Sequence, residues 1–138
     1  MKIFLDANIL VAVLNKEYPL FSYASRILSL SDNKRFQLFT SPICLAIAFY
    51  FAEKKSGTAM ARKKIALLIS KIQISSTNTE TVLNTSKNKQ ILDFEDGFEY
   101  FSALSAGCQL IITEDKDDFY FSKIEVLNCR EFMEKVSI

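Results

Sequence analysis

The sequence predicts an α/β fold, a three-layer α/β/α sandwich around a central parallel sheet of four to five strands. Short apolar runs typical of buried strands, Ile3–Leu5 and Leu110–Ile112, alternate along the chain with segments whose apolar residues recur at helical spacing. Strand–helix–strand units of this kind form parallel sheets that are covered on both faces. The length of 138 residues and the apolar fraction of 49% suit one globular domain, expected to span residues 1–138.

The first half of the chain is predicted to contain two strands and three helices. These elements are a strand at 3–5, helices from about residue 9 and over 23–30, a strand at 36–39, and a helix from Pro42 to about Lys55. Apolar spacing predicts the two early helices, and the polar run 31–33 ends the second of them. Ser41 as N-cap and Pro42 in the first turn start the third helix.

The second half repeats the alternation. The predicted elements are helices over 58–71, 79–89 and 94–106 and from Arg130, and strands over 72–75, 110–112 and 125–127. Basic and apolar residues alternate over 58–71 in the pattern of an amphipathic helix. Gly57 separates this helix from the preceding one, and Gly107 ends the helix that begins near Phe94.

Acidic residues follow the two most buried predicted strands. Asp6 comes directly after the first strand, and the polar run 113–118 follows Leu110–Ile112. Parallel sheets bind their ligands outside the carboxyl ends of the strands, so both groups should lie at the edge that carries the site. Of the two polar residues after the first strand, Asn8 is expected to cap the helix and Asp6 to belong to the site.

A third acidic group lies at the start of the helix over 94–106. Asp93, Asp96 and Glu99 are spaced i, i+3, i+6 and therefore share roughly one helix face. An alternative interpretation is that these acids only stabilise the positive end of the helix. That alternative leaves unexplained why other acids follow strands at the same edge of the sheet.

Converging carboxylates without basic partners repel one another and are usually neutralised by a divalent cation. The chain contains no histidine, which excludes Ser-His and Cys-His nucleophilic catalysis and most zinc sites. Oxygen ligands alone favour a hard cation, Mg²⁺ or Mn²⁺. A cation held in this way activates water for attack on a phosphodiester, so the expected chemistry is phosphodiester hydrolysis.

At these motifs the sequence resembles the PIN domain family, small Mg²⁺-dependent ribonuclease-like domains that include the VapC toxins of bacterial toxin–antitoxin pairs. The matching stretches are FLDANIL at 4–10, TSP at 40–42, DFEDGFEYFSALSAGC at 93–108 and IITEDKDDF at 111–119. The resemblance implies that Asp6, Asp96 and Asp115 are the first, third and fourth acids of the site. Further expected metal ligands are Asp118 and Glu99, and the residues expected to support them are Asn8, Thr113 and Asp93.

The sequence departs from the family pattern in the helix that follows TSP. Many members carry an acid there, but this chain has Ile47 at the aligned position. Glu99, one turn beyond Asp96 on the same helix face, is expected to compensate. A second hypothesis is that the fold is retained as a binding module without catalysis. A third is a phosphatase that uses Asp6 as nucleophile, although such enzymes use an acid where this chain has Asn8.

The resemblance implies an Mg²⁺- or Mn²⁺-dependent endoribonuclease with RNA as substrate, an antitoxin partner if the chain is a toxin, and a homodimer. The basic residues expected to contact RNA phosphates are Lys54, Lys55, Arg62, Lys63 and Lys64. A solvated helix face is the alternative interpretation of this basic stretch. Phe49, Tyr50 and Phe51 are candidates for base stacking, for helix packing or for a dimer surface.

The compartment is expected to be the cytoplasm. Cys44, Cys108 and Cys129 lie in apolar contexts without CxxC spacing, so they are interpreted as core residues of a reduced protein. The longest apolar run, 42–52, is shorter than the roughly 20 residues that cross a bilayer, so no contact with a membrane is expected. The N-terminus lacks the basic start of a signal peptide.

Overall fold

Five parallel strands form one sheet in a computed structural model of the chain, which describes residues 1–136. The strands are β1 (Lys2–Leu5), β2 (Gln37–Thr40), β3 (Gln73–Ile74), β4 (Leu110–Ile112) and β5 (Glu125–Leu127). Their order across the sheet is β3-β2-β1-β4-β5, and every neighbouring pair is parallel. The predicted α/β class is therefore confirmed, with five strands.

Helices flank the sheet on both faces. They are α1 (Ala7–Leu14), α2 (Leu20–Ser29), α3 (Pro42–Ser56), α4 (Thr58–Ile69), α5 (Thr79–Lys87), α6 (Phe94–Ser105) and α7 (Cys129–Val136). The chain moves in one direction across the sheet from β1 to β3 and in the other from β3 to β5. Right-handed crossovers therefore place α1–α4 and α5–α6 on opposite faces. Among residues 1–136, no helix has both the length and the apolarity needed to cross a membrane.

The central strands β1 and β4 hold the middle of the core. Their apolar side chains are at most 2% exposed, because each strand is paired on both sides and covered by helices on both faces. Leu5 pairs with Ile112 at the carboxyl end of this ladder. The next residues, Asp6 and Thr113, consequently emerge side by side at one edge of the sheet.

Two predicted elements, α2 and β3, differ most from the observed ones. Helix α2 begins at Leu20, three residues before its predicted start, because the Phe21 amide already donates to the Glu17 carbonyl (2.7 Å). A short 3-10 turn, Leu30–Asp32, extends the end of α2. The predicted strand over 72–75 shrinks to the two exposed residues of β3, which is an edge strand with β2 as its single neighbour.

Gly97, in α6, lets helices α5 and α6 approach closely. A Cβ atom at this position would lie 2.4 Å from Cγ2 of Thr85, far inside van der Waals contact. We expect Gly97→Ala to lower the free energy of unfolding by about 1 to 3 kcal/mol, measured by urea denaturation, because α6 must move away from α5.

The control for this prediction is a second substitution that removes the nearest methyl group. Thr85→Ser deletes Cγ2 and keeps the hydroxyl that donates to the Thr81 carbonyl (2.9 Å). Gly97→Ala combined with Thr85→Ser should recover part of the lost stability. An unchanged urea midpoint for Gly97→Ala alone would contradict the argument.

Candidate metal centre

An open cavity of about 410 Å³ lies at the carboxyl ends of β1 and β4. Seven acidic residues line it: Asp6, Glu17, Glu95, Asp96, Glu99, Asp115 and Asp118. The remaining lining residues are Ala7, Asn8, Val11, Leu20, Ile47 and Phe51. Within the described part of the chain, the lining therefore includes neither lysine nor arginine. Acidic residues without basic partners in the described lining favour a bound cation.

Asp6 occupies the centre of this arrangement and also caps α1. Its Oδ1 accepts a hydrogen bond from the Ala7 amide (2.6 Å), and its Oδ2 accepts one from the Thr113 hydroxyl (2.7 Å). The expectation that Asn8 would cap this helix is wrong. The strand ends at Leu5, so Asp6 is the residue that has extended backbone geometry at the helix start. The same carboxylate thus fixes the helix and faces the cavity.

Asn8 and Thr113 form a hydrogen-bonded network with Asp115. The Asn8 amide nitrogen donates to Oδ2 of Asp115 (3.1 Å) and to the Thr113 hydroxyl (3.3 Å), and its oxygen accepts from the Glu114 amide (3.3 Å). The Asp115 amide also donates to the Thr113 hydroxyl (3.0 Å). These bonds link the exposed Asp115 side chain to the buried Asp6 through Thr113, and they are the kind of hydrogen bonds expected of Asn8 and Thr113.

The first turns of α6 supply the opposite wall. Asp93 caps this helix, because its Oδ1 accepts from the amides of Glu95 (2.8 Å) and Asp96 (3.4 Å). Asp93 therefore fixes the backbone that carries Asp96. Oxygen atoms of Glu95, Asp96 and Glu99 lie within 4.8 Å of one another.

Glu99 is the most deeply buried carboxyl group of the site. It is 2% exposed, and its Oε1 accepts a hydrogen bond from the Cys44 thiol of α3 (3.0 Å). One ligand atom each from Asp6, Cys44 and Glu99 lie within 4.8 Å of one another. Burial, together with a hydrogen bond to Asp6 and the negative charge of Asp6, raises the pKa of Glu99 to about 11. The metal-free protein therefore keeps Glu99 protonated at neutral pH.

Other carboxyl groups of the cavity are also harder to ionise than usual. Burial and the charges of Asp93 and Asp118 raise the pKa of Asp96 to about 7. Burial and neighbouring carboxylates raise the pKa values of Glu95 and Asp118. These pKa values rise because the carboxyl groups are partly desolvated and no positive charge among the described residues of the cavity lining offsets the surrounding acids. A donor set of oxygen atoms under this mutual repulsion fits a hard divalent cation, which would lower all of these pKa values.

Ile47 lines the same cavity from α3 and is half-buried. The helix that follows the TSP stretch therefore faces the acids with an aliphatic side chain. Asn8, two residues after Asp6, is an amide whose protons are directed at Asp115 and Thr113. This placement gives no support to the phosphatase hypothesis, which needs an acid at that position.

Three site residues escaped the sequence analysis. Glu17 follows α1 and reaches the cavity rim through the fold of the loop, a position that no periodic pattern marks. Glu95 is next to Asp96 but does not share the i, i+3, i+6 spacing of Asp93, Asp96 and Glu99. All three cysteines are buried, as expected of core residues, but Cys44 also contacts Glu99. Its place one turn before Ile47 on α3 was the available signal.

The basic residues lie beside the cavity and not in its lining. Lys54 stacks on Tyr50, Lys55 donates to the Asn15 carbonyl at the end of α1, and Lys64 donates to the Ser56 hydroxyl (2.9 Å). Arg62 and Lys63 are exposed on α4. Of the three aromatic residues of α3, Phe51 lines the cavity, while Tyr50 is 53% exposed and Phe49 is half-buried.

A parallel α/β sandwich whose central strands end in a carboxylate cluster defines a class of proteins with an acidic site at the sheet edge. The chain belongs to the PIN domain family, whose model, described as "PIN domain", matches residues 2–117. The resemblance noted in the sequence is therefore confirmed over most of the chain.

Proteins similar to this chain include one relative found by sequence and two solved structures. "Ribonuclease VapC1" of Aquifex aeolicus (strain VF5) is 27% identical over 137 residues, which cover 97% of this chain and 94% of that protein. The structure of VapBC-1 from nontypeable Haemophilus influenzae matches with a TM-score of 0.72 at 22% identity, covering 94% of this chain and 99% of that one. Mycobacterium tuberculosis VapC20, described as a Sarcin-Ricin loop cleaving toxin, matches with a TM-score of 0.67 at 18% identity, covering 90% and 98%. These two structural matches show a shared fold.

Proposed function

We propose that this chain is a metal-dependent endoribonuclease and the toxin of a toxin–antitoxin pair. The observation that carries the proposal is the convergence of Asp6, Asp96 and Asp115, the acids implied by the family pattern, on one cavity at the carboxyl edge of the sheet. The names of the similar proteins, a ribonuclease VapC1, a VapBC-1 structure and a toxin that cleaves the Sarcin-Ricin loop, support RNA as substrate and an antitoxin as partner.

The residues have distinct roles in this proposal. Asp6, Asp96 and Asp115 are the catalytic carboxylates and, with Asp118 and Glu99, the ligands of Mg²⁺ or Mn²⁺. When bound, the cation activates water for attack on the phosphodiester and stabilises the leaving oxygen. Asn8 and Thr113 orient Asp115 and Asp6 through their hydrogen bonds, and Asp93 fixes the start of α6.

The remaining parts of the proposal concern partners and surroundings. The residues proposed to contact RNA phosphates beyond the scissile bond lie on α3 and α4: Lys54, Lys55, Arg62, Lys63 and Lys64. We also propose that residues 1–138 form a single domain, that the protein is a homodimer, and that it acts in the cytoplasm.

Two aspartates of the same polar segment allow a matched test of the proposed site. Asp115 lines the cavity and bonds to Asn8, whereas Asp117 is exposed outside the lining. We expect Asp115→Asn to reduce RNA cleavage in Mg²⁺ or Mn²⁺ to nearly the level measured in EDTA, because it removes a charged ligand while Asn8 keeps an oxygen to bond. Asp117→Asn should cleave RNA like the wild type. Equal activity of the two variants would contradict the proposed site.

A second candidate function is a binding module of the same fold without catalysis, favoured by Ile47 in the cavity wall. Calorimetric titration with Mn²⁺ separates the two functions. Clear Mn²⁺ binding that Asp96→Asn abolishes, together with RNA cleavage, supports the nuclease. A protein that neither binds Mn²⁺ nor cleaves RNA supports the binding module.

A further inference from the structure

Helix α3 contributes no acid to the cavity wall, but it carries a thiol that contacts the acidic cluster. Ile47 faces the cavity, and Cys44 lies three residues earlier, on the same side of α3. Cys44 is fully buried, and its thiol donates to Oε1 of Glu99 (3.0 Å). The link from α3 to the acidic cluster therefore passes through Cys44 and ends on a carboxyl group that belongs to α6.

Glu99 belongs to two groups of potential metal ligands. It lies within 4.8 Å of Asp6 and Cys44 in one group of potential ligand atoms, and within 4.8 Å of Glu95 and Asp96 in another. In residues 1–136, it is the one side chain that belongs to both groups. It is thus placed between the carboxylate after β1 and the carboxylates at the start of α6.

The burial of Glu99 is costly without a cation. Glu99 is 2% exposed and lies beside Asp6, and the cavity lining includes no lysine or arginine among the described residues. Burying an acid next to another acid destabilises the fold, whereas an apolar residue would pack there at no such cost. A ligand role accounts for an acid at this position, and packing alone does not.

We propose that Glu99 supplies the metal site with the carboxylate that Ile47 does not provide, and that Cys44 is the positioning residue that fixes Glu99 toward Asp6. This inference rests on the proposed metal-dependent function. It adds which carboxylate completes the metal site and which residue positions it. The carboxylate that many family members carry on α3 is supplied here by Glu99 of α6. Helix α3 acts on that carboxylate through the Cys44 thiol. The position of Glu99, rather than an acid on α3, sets the affinity of the site for the cation.

The test is calorimetric titration of the metal-free protein with Mn²⁺, with no RNA present. We expect Glu99→Gln to weaken Mn²⁺ binding by at least about 10-fold and Cys44→Ala, which changes no charge, to weaken it by roughly 10-fold. Cys44→Ser keeps a donor to Oε1 and should bind like the wild type. Ile47→Glu combined with Glu99→Gln should regain most of the lost affinity, because it returns a carboxylate to the α3 wall.

Two controls match these changes. Glu17→Gln makes the same carboxyl-to-amide change at an exposed part of the cavity lining and should have a smaller effect than Glu99→Gln. Cys108→Ala makes the Cys44→Ala change at a buried cysteine before β4, at the opposite edge of the sheet, and should bind Mn²⁺ like the wild type. Circular dichroism establishes that each variant is folded.

The outcomes separate this inference from the proposed function. Wild-type affinity in Glu99→Gln, or equal weakening in Cys44→Ala and Cys44→Ser, would overturn the inference while leaving a metal site in place. A wild-type protein that binds no Mn²⁺ would overturn both. Strong Mn²⁺ binding that depends on Glu99 and Cys44, in a protein that does not cleave RNA, would support the inference and contradict the nuclease.

Discussion

Replacing Asp6 by asparagine is expected to reduce RNA cleavage to the level measured in EDTA while the protein stays folded. Asparagine keeps an oxygen for the Ala7 amide, so the cap of α1 survives. The Thr113 hydroxyl donates to Oδ2 and already accepts from the Asn8 side chain and the Asp115 amide, so a new amide group at Oδ2 costs this one hydrogen bond. The substitution therefore removes the negative charge of Asp6 and one buried hydrogen bond. In the proposed function, that charge would help to hold the divalent cation on which cleavage depends.

The measurement is cleavage of a labelled RNA in Mn²⁺ and in EDTA, with Asp32→Asn as the control. Asp32 is exposed in the 3-10 turn after α2, outside the cavity lining, so its substitution should leave cleavage unchanged. Equal residual activity in the wild type and in Asp6→Asn would show that the observed cleavage does not come from this site. Circular dichroism and thermal unfolding report whether the fold is intact.

Glu99→Gln is expected to stabilise the metal-free protein by about 3 kcal/mol at pH 7. In the folded protein the pKa of Glu99 is raised to about 11, whereas the ordinary value is 4.5. Between these values the unfolded chain releases a proton that the folded protein retains, so unfolding becomes easier as the pH rises above about 4.5. At pH 7 the difference from the unfolded pKa is about 2.5 pH units, each worth about 1.4 kcal/mol. Glutamine does not titrate, so the variant does not lose this stability as the pH rises.

The stabilisation by Glu99→Gln should depend on pH. The advantage of Glu99→Gln should be absent near pH 4, where folded and unfolded chains are both protonated, and should grow as the pH rises toward 7. Asp96, whose pKa is raised to about 7, adds a loss of stability in the same direction between about pH 4 and 7 in both proteins. Urea denaturation in EDTA at several pH values measures the effect, with Glu80→Gln as a control on the exposed face of α5. A Glu99→Gln variant less stable than the wild type at pH 7 would contradict the prediction.

Glu99→Gln is expected to have opposite effects on the stability of the metal-free protein and on its affinity for Mn²⁺. The glutamine variant should gain stability without metal and lose affinity for Mn²⁺. A residue that destabilises the fold and strengthens ligand binding is typical of functional sites, where stability is given up for activity. Addition of Mn²⁺ should therefore raise the thermal midpoint of the wild type more than that of Glu99→Gln.

Most of the acids that line the cavity could be predicted from the sequence, because they follow elements with clear periodicity. Strands β4 and β5 have their predicted bounds, and β1 ends at the residue before Asp6 as expected. Parallel pairing then brings the residues after β1 and β4 to one edge. Element ends without strong local signals, such as the start of α2 and the extent of β3, were the ones that shifted.

The sequence by itself determined the class of fold, the edge of the sheet that carries the acids, and the absence of an acid at Ile47, because these follow from local periodicity and chain order. The tertiary structure alone decided that Asp6 caps α1 as well as lining the cavity, that Glu17 reaches the rim, and that the Cys44 thiol donates to Glu99. Cys44 and Glu99 are 55 residues apart, and their contact exists only because α3 and α6 meet beside the same sheet edge. Packing between distant elements has no counterpart in any short stretch of the chain, which is why no local pattern predicted it.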